Sequence, residues 1–206
     1  VATLRPEGKF GGAVAVEEGT TNLSTNPSLE SDASGWTRWV NSGAGTGSRT
    51  SDRAYHGLYS YFVECTADGS VGFTTPYVTV TPNTEYSLSC YIYIESIGQD
   101  ENGAFPYWRE KRDSASGGVN VKKLTAPDYP GATTWADLPV GRWIRLEATS
   151  VTAEDAQSVA MSFYLNKAGS KVYVDAHQFE QKPFATSFVD GSREEGTIRI
   201  RPSDLG

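Results

Sequence analysis

The chain offers few groups for covalent chemistry. Among its 206 residues are 25 acids but only two histidines, His56 and His177, and no nucleophile elbow, zinc-protease helix or phosphate-binding loop occurs. His56 in "RAYHGLYS" and His177 in "VDAHQFE" read as turn residues with solvated rings. A glycosidase would need two carboxylates about 5–10 Å apart across a cleft. Glu64, Glu147 and Asp128 can be nominated, but each has the local sequence of an ordinary surface charge. No catalytic residue is assigned, and the chain reads as a non-enzyme. Cys65 and Cys90 are too few for a disulfide framework, leaving a single bridge or two free thiols, and no Cys/His cluster has zinc spacing.

What the sequence has in quantity is aromatic side chains in alternating runs. In "EYSLSCYIYI", Tyr86, Leu88, Cys90, Ile92 and Ile94 share one face, with Ser87, Ser89, Tyr91 and Tyr93 on the other. "VAMSFYLN" repeats this, Val159, Met161, Phe163 and Leu165 alternating with Ala160, Ser162, Tyr164 and Asn166. In "GRWIRLEAT" Ile144, Leu146 and Ala148 alternate with Trp143, Arg145 and Glu147, which places Trp143 at the edge of the core. Tyr91, Tyr93 and Tyr164 are therefore expected on a wet, aromatic sheet face, either solvent-facing or covered by a loop.

Further strands are expected at 36–40, 58–65, 71–80 and 171–179, separated by Gly, Asn, Pro and Ser clusters. Short strands at this spacing predict an all-β fold: two antiparallel sheets packed face to face as a β-sandwich. Residues 97–139, rich in Gly, Pro and charge, read as a long loop insertion with a weak hairpin near 118–125. Trp39, Tyr107, Trp108 and Trp135 fall in loops or at strand edges, where they frame a cleft or, for Trp108 and Trp135, pin the insertion as a small satellite core. Trp36 begins a strand and reads as a core anchor. "TAEDAQ" is the one helix-like stretch.

A net charge of −7 argues against binding to nucleic acid or to anionic membranes, and no apolar run approaches the roughly 20 residues that span a bilayer. The division expected is an N-terminal arm at 1–20, a sandwich domain at 21–180, and a C-terminal arm at 181–206 leading to a further domain, so that the chain reads as a piece of a larger protein.

Five segments in order, "NLSTNPSLESDASGW", "AYHGLYS", "VTPNTEYSLSCYIYI", "GRWIRLEATSVTA" and "KVYVDAHQFE", together resemble the jelly-roll carbohydrate-binding modules of the family 4, 16 and 22 type, which have a galactose-binding-like fold. The resemblance implies a jelly roll over about residues 22–180 that binds sugar without catalysis, using exposed aromatics as platforms. On that basis the candidates for carbohydrate contact are Trp39, Tyr91, Tyr93, Tyr107, Trp108, Trp135 and Tyr164. The resemblance also implies a structural calcium ion held by Glu30 and Asp175, with Asp52 a weaker third ligand. The alternative is that Glu30 caps a turn and Asp175 bonds to main chain at a bulge.

"GKFGGAVAVEEGTTNLSTNPSLE" and "QFEQKPFATSFVDGSREEG" look similar to segments of tail proteins from phages and prophages of Gram-positive bacteria. That implies a virion (phage tail) or extracellular location. The implied partners are a host cell-surface polysaccharide and other tail-protein domains. The competing expectation is a structural or assembly sandwich of a tail protein with no sugar bound.

Overall fold

The computed structural model describes residues 18–195 except Ser116, together with the main-chain pairing of β1 (Leu4–Arg5) with β2 (Ala13–Val14). The rest of the two arms lies outside the described residues. The other strands are β3 (Thr20–Thr21), β4 (Thr37–Thr50), β5 (Ser60–Thr74), β6 (Val78–Thr79), β7 (Glu85–Ser96), β8 (Tyr107–Arg112), β9 (Gly118–Lys123), β10 (Trp143–Val151), β11 (Ala156–Leu165), β12 (Lys171–Glu180) and β13 (Ser192–Arg193). Every pairing among them is antiparallel. The helix-like "TAEDAQ" instead leads into β11, and the described helical turn is the 3-10 turn Trp135–Asp137.

The architecture follows from one long hairpin. β4 and β5 run side by side for their whole length, but the early part of β5, Tyr61–Glu64, pairs with β12, and its last residues, Val71–Thr74, pair with β11. The bend between the halves falls where the β4 register slips, between Val40 and Gly45. Gly43 adopts φ +73° there, and a Cβ on it would strike the Ala67 and Asp68 carbonyls. The hairpin thus supplies an edge to each of two sheets. The first runs β10, β7, β12, β5, β4; the second runs β9, β8, β11, β5, β4, with β6 continuing beside β11. At the opposite edge the bridge between Thr125 and Glu147 joins the end of the β9 segment to β10. The result is the expected all-β sandwich, joined along both sides.

Alternation decides which side chains enter the interior. Leu88, Cys90, Ile92 and Ile94 of β7 face Val159, Met161, Phe163 and Leu165 of β11, all at most 1 % exposed. Full burial of each such side chain contributes about 1.5–3 kcal/mol. Trp36 is buried as expected, its ring stacked on Phe73 and Tyr61 with centroids 5.5 and 5.6 Å apart. Both cysteines are free and buried, and burial pushes their thiols above the usual range.

Residues 97–139 differ from the expected loop. They contain β8 and β9, which widen the second sheet, followed by the turn that carries Trp135. That turn is held by Asp137, whose carboxylate accepts the Thr133 and Thr134 N–H groups and the Thr134 hydroxyl. Trp135 packs against Phe105 and Phe163 at 5.3 and 4.9 Å and is fully buried, with no acceptor for its indole N–H among the described residues.

This geometry separates packing from polar cost. Trp135→Ala should lower unfolding stability by about 3–5 kcal/mol, as loss of a buried aromatic does. Trp135→Phe keeps most of the packing and removes an unsatisfied donor, so it should cost less than half as much. Urea melts of both variants check this; equal losses would mean that a phenyl ring recovers none of the packing and the site needs the whole indole.

Candidate functional site

A sandwich has two outer faces, and they divide the tyrosines that alternation had grouped together. Tyr91 and Tyr93 lie on the outside of the first sheet and Tyr164 on the outside of the second. Across the first sheet, Trp143, Tyr93, Tyr173 and Phe62 follow one another in register on four adjacent strands. This aromatic row is capped by residues 51–59, not by the 97–139 segment. The Tyr55 ring stacks on Tyr91 with centroids 3.5 Å apart, and the Arg53 guanidinium lies 3.9 Å above the Tyr93 ring.

The capping segment is tied down by two carboxylates 145 residues apart in the chain. Asp175 accepts the main-chain N–H groups of Tyr55 and His56 at 2.7 and 2.9 Å; Glu30 accepts those of Leu58 and Tyr59, both at 3.0 Å. Between them Gly57 adopts φ +67°, and a Cβ there would collide with the Glu30 carboxylate. Arg49 adds bonds to the Leu29 and Glu30 carbonyls at 2.5 and 2.9 Å and stacks on Tyr59.

Burial pushes the Asp175 carboxyl up to about 7, against the lowering effect of N–H bonds from His56, Ala176 and Tyr55, and the nearby Glu30 charge raises it further. Two carboxylates converging on one segment, one of them deprived of solvent, are the hard oxygen donors that calcium selects. Asp52 does not join them: it is exposed, and no cluster of three acidic, His or Cys side chains with metal-binding geometry exists among the described residues.

The outer face of the second sheet is open. A groove of about 410 Å³ runs over it, and three of the expected sugar-contact residues, Trp39, Tyr107 and Tyr164, line it. Its floor is laid in rows: Trp39, Gly72 and Tyr164 are paired across β4, β5 and β11, and the next row is Thr37, Thr74, Ser162 and Tyr107. Gly72 makes the first row workable, because a Cβ there would run into the Trp39 indole and the Phe163 carbonyl. The indole therefore folds down over the glycine and meets Tyr164 edge-on, with centroids 5.8 Å apart.

Polar groups complete the groove. Asn41, Thr74, Arg109, Asn120 and Ser162 line it, and Arg109 donates to the Asn120 amide oxygen at 2.6 Å. No Asp, Glu or His is among the lining residues. Tyr77, Asn41, Arg109 and Asn120 were not anticipated. The alternation Tyr107, Arg109, Lys111 in "YWREKR" held the signal for β8, obscured by its charge.

Trp108 and Trp135 reach neither face. Both are fully buried, Trp108 donating to Glu110 at 3.1 Å inside the sandwich, so neither ring presents a surface to a ligand. His177 is also buried rather than solvated; its Nδ1 lies 2.8 Å from the Ser24 hydroxyl and its ring packs edge-on to Trp36.

No family model and no curated protein matches the sequence. Solved structures do match in fold. The CBM22-1 xylan-binding domain from Paenibacillus barcinonensis Xyn10C aligns with a TM-score of 0.52 at 17% identity, over 83% of this chain and 100% of that one. TmCBM61, solved in complex with β-1,4-galactotriose, aligns at 0.50 and 15% identity, over 78% and 99%. The enzymatically active domain of tailspike protein 4 from bacteriophage CBA120 aligns at 0.54 and 13% identity, over 77% of this chain but 21% of that one, so this chain spans about a fifth of the tailspike structure. At these identities the likeness is one of fold: the chain shares the β-sandwich of these structures.

Proposed function

We propose that the chain is a non-catalytic carbohydrate-binding module whose ligand lies in the groove of the second sheet. The observation that carries this is the pairing of Trp39 and Tyr164 over Gly72, a half-buried aromatic floor that lines an open groove edged by amide, hydroxyl and guanidinium groups. A sugar ring needs that combination: C–H groups pack on the aromatic face while hydroxyls take hydrogen bonds from the rim. Fold neighbours described as a xylan-binding domain and as a galactotriose complex support the reading. The capped face of the first sheet is then structural: Tyr93 belongs to its aromatic row, and Tyr91 lies beside that row under Tyr55.

The setting we propose is a phage tail or another extracellular protein, with a host cell-surface polysaccharide as ligand. It is supported by the resemblance of the terminal segments to tail proteins and by the tailspike among the fold neighbours. Adhesion follows from that setting. An assembly role without sugar is the competing outcome of the same experiment. Titration calorimetry against cell-wall and capsular oligosaccharides should show binding that Trp39→Ala and Tyr164→Ala each weaken at least tenfold, about 1.4 kcal/mol or more. Tyr93→Ala, on the capped face, should leave it within twofold. Absence of binding at millimolar sugar would favour the assembly role.

We also propose calcium between Glu30 and Asp175, where it would relieve the repulsion of two carboxylates and fix the 55–59 segment. EDTA should lower the melting temperature of the wild-type protein, since an ion bound only to the native state stabilises it by mass action. It should leave Asp175→Asn and Gly57→Ala, already destabilised, unchanged. A wild-type melting curve indifferent to EDTA would leave these carboxylates with main-chain hydrogen bonding as their whole role.

A further inference from the structure

The chain is acidic overall, yet the groove is bordered by cations. β8 turns Tyr107, Arg109 and Lys111 to the outer face, and β9 places Lys123 opposite Tyr107 and Asn120 opposite Arg109. Arg109 lines the groove. The Lys111 ammonium sits 4.1 Å from the ring centre of Tyr77, and that of Lys123 lies 5.9 Å from the ring centre of Tyr107, both of them groove residues. Among the described residues none of these three cations forms an ion pair. Their partners are neutral: the Asn120 amide for Arg109, the Thr133 carbonyl for Lys123, and the tyrosine rings.

Of the acids nearest in the chain, one is paired with a cation and two sit at the turn end of the β8–β9 hairpin, and none lines the groove. Glu110 points inward, where Arg112 at 2.8 Å and the Trp108 indole hold it. At the hairpin end, Asp113 accepts from Gln157 and Asp155 from the Ser114 N–H. Because charges more than about 8 Å apart are largely screened at physiological ionic strength, a ligand in the groove meets the local cations and not the net charge of −7.

Resting on the groove reading above, we infer that the saccharide bound there is anionic, carrying carboxylate or phosphate groups that Arg109, Lys111 and Lys123 recognise. A neutral glycan would use the Trp39 and Tyr164 platform but leave all three cations without a counter-charge. An acidic sugar occupies both, its ring on the indole and its anion on the guanidinium fork.

The test is calorimetry with the whole chain at 50 and 500 mM salt, using four probes: an oligogalacturonate, a sugar-phosphate polymer, an uncharged oligosaccharide of equal length, and inorganic polyphosphate. One of the two anionic glycans should bind at least tenfold tighter than the uncharged one, which also tells carboxylate from phosphate. That advantage should vanish at 500 mM salt and in Arg109→Gln/Lys123→Gln, whose residual affinity should equal that for the neutral sugar. A neutral oligosaccharide bound as tightly as either anionic glycan would overturn the inference and leave the groove intact. Polyphosphate bound as tightly as the glycan would overturn it too, since charge alone would then suffice. Failure of every saccharide to bind, or binding indifferent to Trp39→Ala, would remove the groove reading and this inference with it.

Discussion

Everything in this domain depends on the β4–β5 hairpin being too long for one sheet. A 14-residue and a 15-residue strand hydrogen-bonded along their length must bend, and the bend at Gly43 sends one half into each layer. The layers then share two strands, so the distance between them is set by covalent continuity as well as by packing. Trp36, at the mouth of β4, fills the space this creates against Phe73 and Tyr61. The same bend explains why Gly72 sits where it does. It lies on the short arm of β5 that lines the second sheet, the place where a strand can spare a side chain to let an indole lie flat.

At the other end of the fold, polar groups carry the constraint. The segment from Asn22 to Glu30 crosses a bulge in β12, where Ala176 takes the left-handed conformation at φ 50°. Asn22 bridges it, accepting from the Phe179 and Ser24 N–H groups and donating to the His177 and Val189 carbonyls. Burial pushes the His177 ring down to about 3, so it stays neutral and serves as a hydrogen-bonding spacer between Ser24 and Thr75. The strain at Ala176, of order 1–3 kcal/mol, is offset by this network. The bulge in turn aims Asp175 at the 55–59 segment.

Much of this was legible from residue order. Period-two alternation placed Leu88, Cys90, Ile92, Val159, Met161 and Phe163 inside, and strand-initial Trp36 among them. Alternation reports only inside or outside, however, and a sandwich has two outsides. Nothing local distinguishes Tyr164 from Tyr93, because the difference lies in which sheet each strand joins, a matter of long-range pairing. β8 was hidden for another reason: its inward positions are Trp108 and Glu110, and a buried glutamate neutralised by Arg112 looks in sequence like a solvated one. His177 misled similarly, since its burial depends on partners more than a hundred residues away.

The two outer faces of this one scaffold are built differently. Both carry rows of aromatics, but the row on the first sheet is built from large residues at every position, Trp143, Tyr93, Tyr173 and Phe62, and such a surface is quenched by its own loop. On the second sheet the row is interrupted by glycine. Glycine inside a strand costs roughly 0.5–1 kcal/mol relative to alanine, and what it provides is relief: a floor low enough for the indole to lie down and leave a hollow beside it. Nor, among the described residues, does the 97–139 segment form a covering loop on that face, because part of it is used as strands β8 and β9, extending the sheet past β11. Building the insertion into the sheet both keeps the hollow open and sets its cations along the rim. Arg109 and Asn120 of the groove come from the β8–β9 hairpin, while the bent β5 supplies the floor beneath Trp39.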